Sequence, residues 1–156
     1  MSLQGTAGEH LEVVVIDAPA THPLRLSVLR HDTPTRQVEF AEDDWPGVEH
    51  LGLRLEDRLV AISSWVPRPH RGEPAVQLRG MATDRTLQGR GLGGILLEAG
   101  CARRAAEDIL LVWANARDAA LPFYLRHGFV VEGDGFVEQV TQLPHHVIVR
   151  RLHRES

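Results

Sequence analysis

The sequence predicts a single domain of mixed α/β type, and three observations carry that reading. A strand-like run over residues 75–83 leads through a glycine-rich loop into a long helical pattern. A continuous apolar run, Ile109 to Trp113, follows that helix, as the second parallel strand of a βαβ unit would. Upstream, Leu51, Leu53 and Leu55 alternate with Gly52 and Arg54. After Glu56-Asp57, Arg58 to Val66 keeps strand composition, which reads as an antiparallel hairpin.

The other elements follow in chain order. Residues 1–10, rich in small polar residues, carry no periodic signal and are expected to be a loose tail, leaving 11–156 as the domain. Leu11 to Ile16 is a β-branched strand. Asp17-Ala18-Pro19 turns the chain into a helix over His22 to Arg30, where Leu24, Val28 and Leu29 share a face. His31 to Gly47 is acidic and turn-rich, and Pro67 to Pro74 holds three of the nine prolines, so both read as connectors. In the strand from Ala75 to Thr83, alternation puts Val76, Leu78 and Ala82 on one face and Gln77, Arg79, Met81 and Thr83 on the other.

The helix expected over Gly89 to Asp108 aligns Leu92, Ile95, Leu96, Ala99, Ala102 and Ala106. A second helix is expected from Ala119 to His127, capped by Asp118, with Pro122 in its first turn and Gly128 ending it. Phe129 to Glu132 and His146 to Leu152 complete the strands.

Composition narrows the function. A chain of 156 residues with 43% hydrophobic and 24% charged residues fits one globular domain. A net charge of −4 opposes a nucleic-acid backbone, so no nucleic acid is expected as partner. All 17 basic residues are arginine, which removes Schiff-base chemistry and the lysine of a P-loop. Cys101 is the only cysteine and reads as a small buried hydrophobe, in keeping with a reducing compartment. No apolar run approaches the ~20 residues of a membrane helix, and a cytoplasmic protein without membrane partners is expected. Nine histidines include no metal-ligand spacing, so no metal is expected.

The chemistry concentrates in Gln88-Gly89-Arg90-Gly91-Leu92-Gly93-Gly94, between the predicted strand and the predicted helix. A pyrophosphate is held by backbone N–H groups at the positive end of a helix, and glycines allow its close approach. Glycine costs roughly 1 kcal/mol in a helix interior, so four of them here call for a reason. The same residues satisfy the dinucleotide fingerprint Gly-x-Gly-x-x-Gly, which would make an NAD(P)-dependent oxidoreductase. That reading wants an acid at the end of the next strand, where Asn115 stands, and 62 residues after Gly94 are too few for the rest of a doubly wound sheet.

Gln88, Gly91 and Gly93 match Gln/Arg-x-x-Gly-x-Gly/Ala, and in this the chain resembles the GNAT acetyltransferase superfamily. Asn115, Tyr124 and Gly128-Phe129 fall where that family carries an Asn, a Tyr and a helix-ending Gly-Phe. The resemblance implies a six- to seven-stranded mixed sheet with a V-shaped opening and helices on both faces. It also implies acetyl-CoA as cosubstrate and acetyl transfer to a primary amine of a small acceptor.

Met81, Ala82 and Thr83 would hold pantetheine, an N–H near Met81 would polarise the thioester carbonyl, and Gln88 to Gly94 would hold the pyrophosphate. Tyr124 would donate to the leaving thiolate, or is an aromatic core residue; Asn115 would bind the pantetheine amides or end a strand. Arg126 could reach a phosphate or be a solvated arginine. A coenzyme-A-binding sensor without catalysis is the alternative, and a dimer is common in families resembling this one.

The chain shows no glutamate on the strand before the loop, so the general base is open among water, Glu42 to Asp44 and Glu49. Arg79 stands in that strand, to meet an acidic substrate group or an internal carboxylate. Arg25 and Arg30 could line an acceptor pocket, and His145 and His146 are candidates by their titration range.

Overall fold

The computed structural model describes residues 2–4 and 10–154. Among these, β1 (Ser2–Gln4), β2 (His10–Ile16), β3 (Glu49–Leu55), β4 (Arg58–Pro67), β5 (Val76–Thr83), β6 (Leu111–Arg117), β7 (Val130–Val137) and β8 (Pro144–Arg151) form one open sheet. Its order is β1-β2-β3-β4-β5-β6-β8-β7: seven full strands with three-residue β1 at one edge. Residues 2–4, within the expected tail, pair antiparallel with 10–12, using the backbone groups that the edge of β2 leaves open. The rest of the expected tail, residues 1 and 5–9, lies outside the described residues.

Every neighbouring pair is antiparallel except β5 and β6. Those two run parallel and meet only at Val76–Val112 and Gln77–Trp113, then separate. On its other edge β6 pairs with β8 from Leu111 to Arg117, and the sheet opens into a V between β5 and β6.

α1 (Ala18–Leu24) begins four residues ahead of the predicted helix, because Asp17 is a cap rather than part of a turn. Its Oδ1 accepts the Ala20 N–H at 3.0 Å, and Pro19 fits the first turn. Pro23, which has no N–H, precedes a π-helical turn over Arg25–Leu29. α2 (Leu92–Ala106) starts at Leu92, not Gly89, since Gly91 sits at φ +81°, a left-handed conformation outside the helix. Its end is closed by Asp108 at φ +61° and by the Ile109 N–H bonding the Arg104 carbonyl at 2.9 Å. Those residues are thereby used for the cap, and β6 starts at Leu111 rather than Ile109; Asn115 falls inside the strand, not after it.

α3 (Leu121–Arg126) is shorter than expected. Asp118 does not cap it: its Oδ1 bonds His146 Nδ1 at 2.6 Å, while residues 118–120 form a 3₁₀ turn. Gly128, at φ +82°, ends the segment as read.

The main core packs α2 and α3 on one face, with Leu51, Leu53, Trp65, Leu96, Leu97 and Ile148 fully buried. Leu24, Ile62 and Ala82 form a smaller cluster beneath α1 on the other. This separates Ala82 from Val76 and Leu78, against the predicted alternation. In the β4–β5 ladder Ile62 faces Ala82 but Ser64 faces Arg79, so Gly80 and Met81 together oppose Ser63. This is a β-bulge, and Gly80 at φ +60° supplies its left-handed residue. The extra residue reverses the faces beyond it: Met81 packs on the main core and Ala82 on the α1 side.

Candidate active site

The split between β5 and β6 is a groove of about 1290 Å³ that passes through the sheet. Its walls are Leu78 to Thr83 and Ala114 to Arg117. One mouth lies beside the start of α2 and α3, and the other beneath the π turn and the loop carrying Phe40 and Glu42.

At the first mouth, the Gln88 side chain donates to the Thr83 carbonyl at 3.0 Å and ties the loop to the end of β5. The four glycines divide into two kinds. Gly89 and Gly91 have φ of +85° and +81°, and a Cβ on either would meet no atom within 4 Å, so they serve conformation and open approach. A Cβ on Gly93 would lie 3.0 Å from Thr83 Oγ1, and one on Gly94 would lie 2.9 Å from the His127 ring, so these two serve close packing.

Gly91 offers no side-chain cap, and the helical ladder begins with the Ile95 N–H on the Gly91 carbonyl at 3.2 Å. The N–H groups of Leu92, Gly93 and Gly94 thus stand at the positive end of a 15-residue helix, which suits a pyrophosphate. Leu92, Gly93 and Gly94 all line the groove, whereas Arg90 is exposed on the loop and is not part of its lining.

Tyr124 reaches the same groove from α3. Its ring packs edge-on against Phe123 and Phe129, with centroids 5.0 and 5.4 Å away, so it is a core aromatic and a groove residue at once. Its hydroxyl makes no hydrogen bond among the described residues. Burial pushes its pKa well above the ordinary tyrosine value, so it stays a donor. Asn115 is exposed on the β6 wall and Arg126 lines the mouth beside α3.

At the second mouth several expectations change. Arg25 does not line the groove: it is 0% exposed and pairs with Asp43 at 2.8 and 3.0 Å. It also donates to the Val38 carbonyl and to Ser64, and covers the Phe40 ring at 3.7 Å. The π turn carries its side chain inward. Arg79 does line the groove, but its charge is met by Glu42 within the chain.

Glu42 also takes Arg68 at 2.9 Å. Burial opposes its charge, yet its own backbone N–H and the two guanidiniums outweigh that and hold its pKa below the usual value. It is therefore no base poised near neutrality. Asp43 is committed to Arg25. Glu49 serves Arg103 and Arg104, away from the groove, so neither is a candidate base.

His145 is buried. It stacks on Phe136, bonds the Leu143 carbonyl through Nδ1 at 2.9 Å and touches the groove; His146 is taken by Asp118. Phe40, Arg117, Glu138 and Thr141 also line this mouth, and no local sequence pattern marks them, because separate loops and strand ends bring them there. Burial raises the Cys101 thiol to about 11, which leaves it inert, and no cluster of three or more potential metal ligands occurs among the described residues. The NAD(P) reading fails on topology, since its fingerprint belongs to a parallel doubly wound sheet.

Comparison with known proteins agrees with this geometry. The model of the Acetyltransferase (GNAT) family matches residues 19–129. The uncharacterized N-acetyltransferase YitI of Bacillus subtilis is 28% identical over 149 residues, covering 94% of this chain and 99% of that protein. An acyl-CoA N-acyltransferase from Pseudomonas aeruginosa superposes with a TM-score of 0.74 at 22% identity, over 90% of this chain and 99% of that one. An aminoglycoside 6'-N-acetyltransferase complexed with coenzyme A gives 0.72 at 12% identity, over 93% and 99%. No helix of the described residues is long and apolar enough to cross a membrane. With the split sheet, the uncapped helix start and the family match together, the chain belongs to the Acetyltransferase (GNAT) family and is an acyl-CoA-dependent N-acyltransferase.

Proposed function

We propose that the enzyme transfers acetyl from acetyl-CoA to the primary amine of a small acceptor. The observation that carries this is the placing of the uncapped start of α2 and the unbonded Tyr124 hydroxyl on one groove that runs through the sheet. The glycines with open space around them fit a pyrophosphate, and the unpaired length of β5 and β6 fits a pantetheine arm between them. The solved aminoglycoside acetyltransferase holds coenzyme A on the same fold.

When bound, acetyl-CoA supplies an activated thioester. The N–H groups of Leu92, Gly93 and Gly94 and the side chain of Arg126 hold its phosphates, and backbone groups of Met81, Ala82 and Thr83 align the arm opposite Asn115. The bulge at Gly80 and Met81 takes a backbone N–H out of the ladder, free to polarise the acyl carbonyl. Tyr124 donates to the departing sulfur. Glu42 is held charged by Arg68 and Arg79, so the acceptor amine gives its proton to solvent.

The test is thermal melting. Coenzyme A should raise the midpoint and NADH should not. Stabilisation by NADH alone sinks the reading.

A further inference from the structure

We propose that the acceptor carries a carboxylate as well as its amine, as an α-amino acid does, and that Arg30 and Arg117 receive that carboxylate at the α1 mouth of the groove. This rests on the acetyl-transfer reading above and names the acceptor class for it.

The charge around that mouth is unbalanced. Four guanidiniums, those of Arg30, Arg68, Arg79 and Arg117, face two carboxylates, Glu42 and Glu138. Glu42 is shared between Arg68 and Arg79. Glu138 is turned to its own loop, accepting the N–H groups of Val140 at 2.7 Å and Thr141 at 3.0 Å, and makes no ion pair among the described residues.

Arg30 is only 7% exposed, yet its donors meet carbonyls alone: Nε bonds Gln37 at 2.6 Å and Nη1 bonds Leu29 at 3.4 Å. Its Nη2 has no partner among the described residues. Arg117 donates to the same Leu29 carbonyl, which draws the two cations side by side, and its nearest carboxylate, half-exposed Asp32, is 3.6 Å away.

Burial first, and then the nearby charges of Arg117, Arg79 and Arg25, hold the Arg30 pKa below the ordinary arginine value; Glu138 offsets only part of this. A buried cation without a counter-ion is costly, and a two-oxygen anion suits a guanidinium fork. Phe40 lies among the cations, with the guanidiniums of Arg25, Arg30 and Arg79 set over its ring at 3.7, 5.7 and 4.5 Å. A polycationic acceptor would meet repulsion from the same groups.

The experiment measures acetyl-CoA consumption with each common amino acid, its amide and its decarboxylated amine. Free acids should exceed their amides in kcat/KM by about tenfold or more. Arg30→Gln should raise KM for the acids by a similar factor and bring the acid-to-amide ratio near one. Arg30→Lys should recover part of it, with the coenzyme A melting shift kept in both. If Arg30→Gln does not fold, Arg117→Gln reads the same ratio.

Amides or decarboxylated amines as the better substrates would overturn the proposal, as would an unchanged ratio in a folded variant. If no amine in the panel consumes acetyl-CoA, the acetyl-transfer reading fails instead. The carboxylate site is then read by melting with N-acetylated amino acids and their amides: stabilisation by the acids alone supports it, and an equal response or none overturns it.

Discussion

Arg25 and Asp43 form a fork-to-fork ion pair, at 2.8 and 3.0 Å, joining the π turn after α1 to the loop that brings Phe40 and Glu42 to the groove. The pair is closed to solvent, with side-chain exposures of 0% and 8%. Replacing Arg25 by Met strands a buried carboxylate, and a loss of ~3–5 kcal/mol is expected. Arg25→Met combined with Asp43→Leu should recover most of it, because both charges are then gone. Urea unfolding of the three proteins decides; equal stability of the single and double variants counts against the account.

The same pair gives a pH dependence. Burial works to raise the Asp43 pKa, but the Arg25 hydrogen bonds and the Phe40 N–H at 3.0 Å outweigh it, so the folded value lies below the unfolded one. A carboxylate depressed in the folded state contributes stability that is fully present above its unfolded pKa, near 4, and is lost as pH falls through the folded value. Glu42 is lowered too and adds in the same direction. Melting midpoints should therefore drop below about pH 4, with a shallower slope in Asp43→Asn; an identical slope would remove Asp43 from the effect.

Tyr124→Phe keeps the ring and its packing but loses the donor. Turnover should fall by about 10²-fold, and the midpoint shift with coenzyme A should survive. Unchanged kcat would leave Tyr124 as a core aromatic only.

Two glycines separate function from packing. At Gly91, φ is +81° and a Cβ meets nothing, so Gly91→Val strains the loop and should abolish the coenzyme A shift with a smaller effect on the unliganded fold. At Gly100 a Cβ would lie 1.9 Å from Trp65 Cζ2, inside the core, so Gly100→Ala should lower stability by ~1–3 kcal/mol or more. Comparing midpoints with and without coenzyme A tells the two apart. Equal behaviour of the variants is the contrary result.

The hairpin from Glu49 to Pro67, the α2 stripe and the loop from Gln88 to Gly94 were legible because each is encoded in adjacent residues with a regular period or a turn signal. The Asp17 cap is equally local, since Asp ahead of Ala18-Pro19 is a helix-start signal as well as a turn signal. Other features are long-range. Arg25 looks like a solvated helix arginine until the π turn carries it to Asp43, 18 residues away, and Asp118 looks like a cap until β8 presents His146. The Arg30 and Arg117 mouth is assembled from positions 87 apart in the chain, and no local pattern marks it.

The bulge at Gly80 amounts to a shift of reading frame in β5. A strand decodes its residues in twos, and one inserted position changes the meaning of every residue after it. Straightening β5 into regular alternation with Gly80 kept would leave each groove residue of that strand in the chain. It would nonetheless translate Met81 and Thr83 onto the α1 side and Ala82 onto the α2 side, so the site depends on the phase of the strand as much as on its letters.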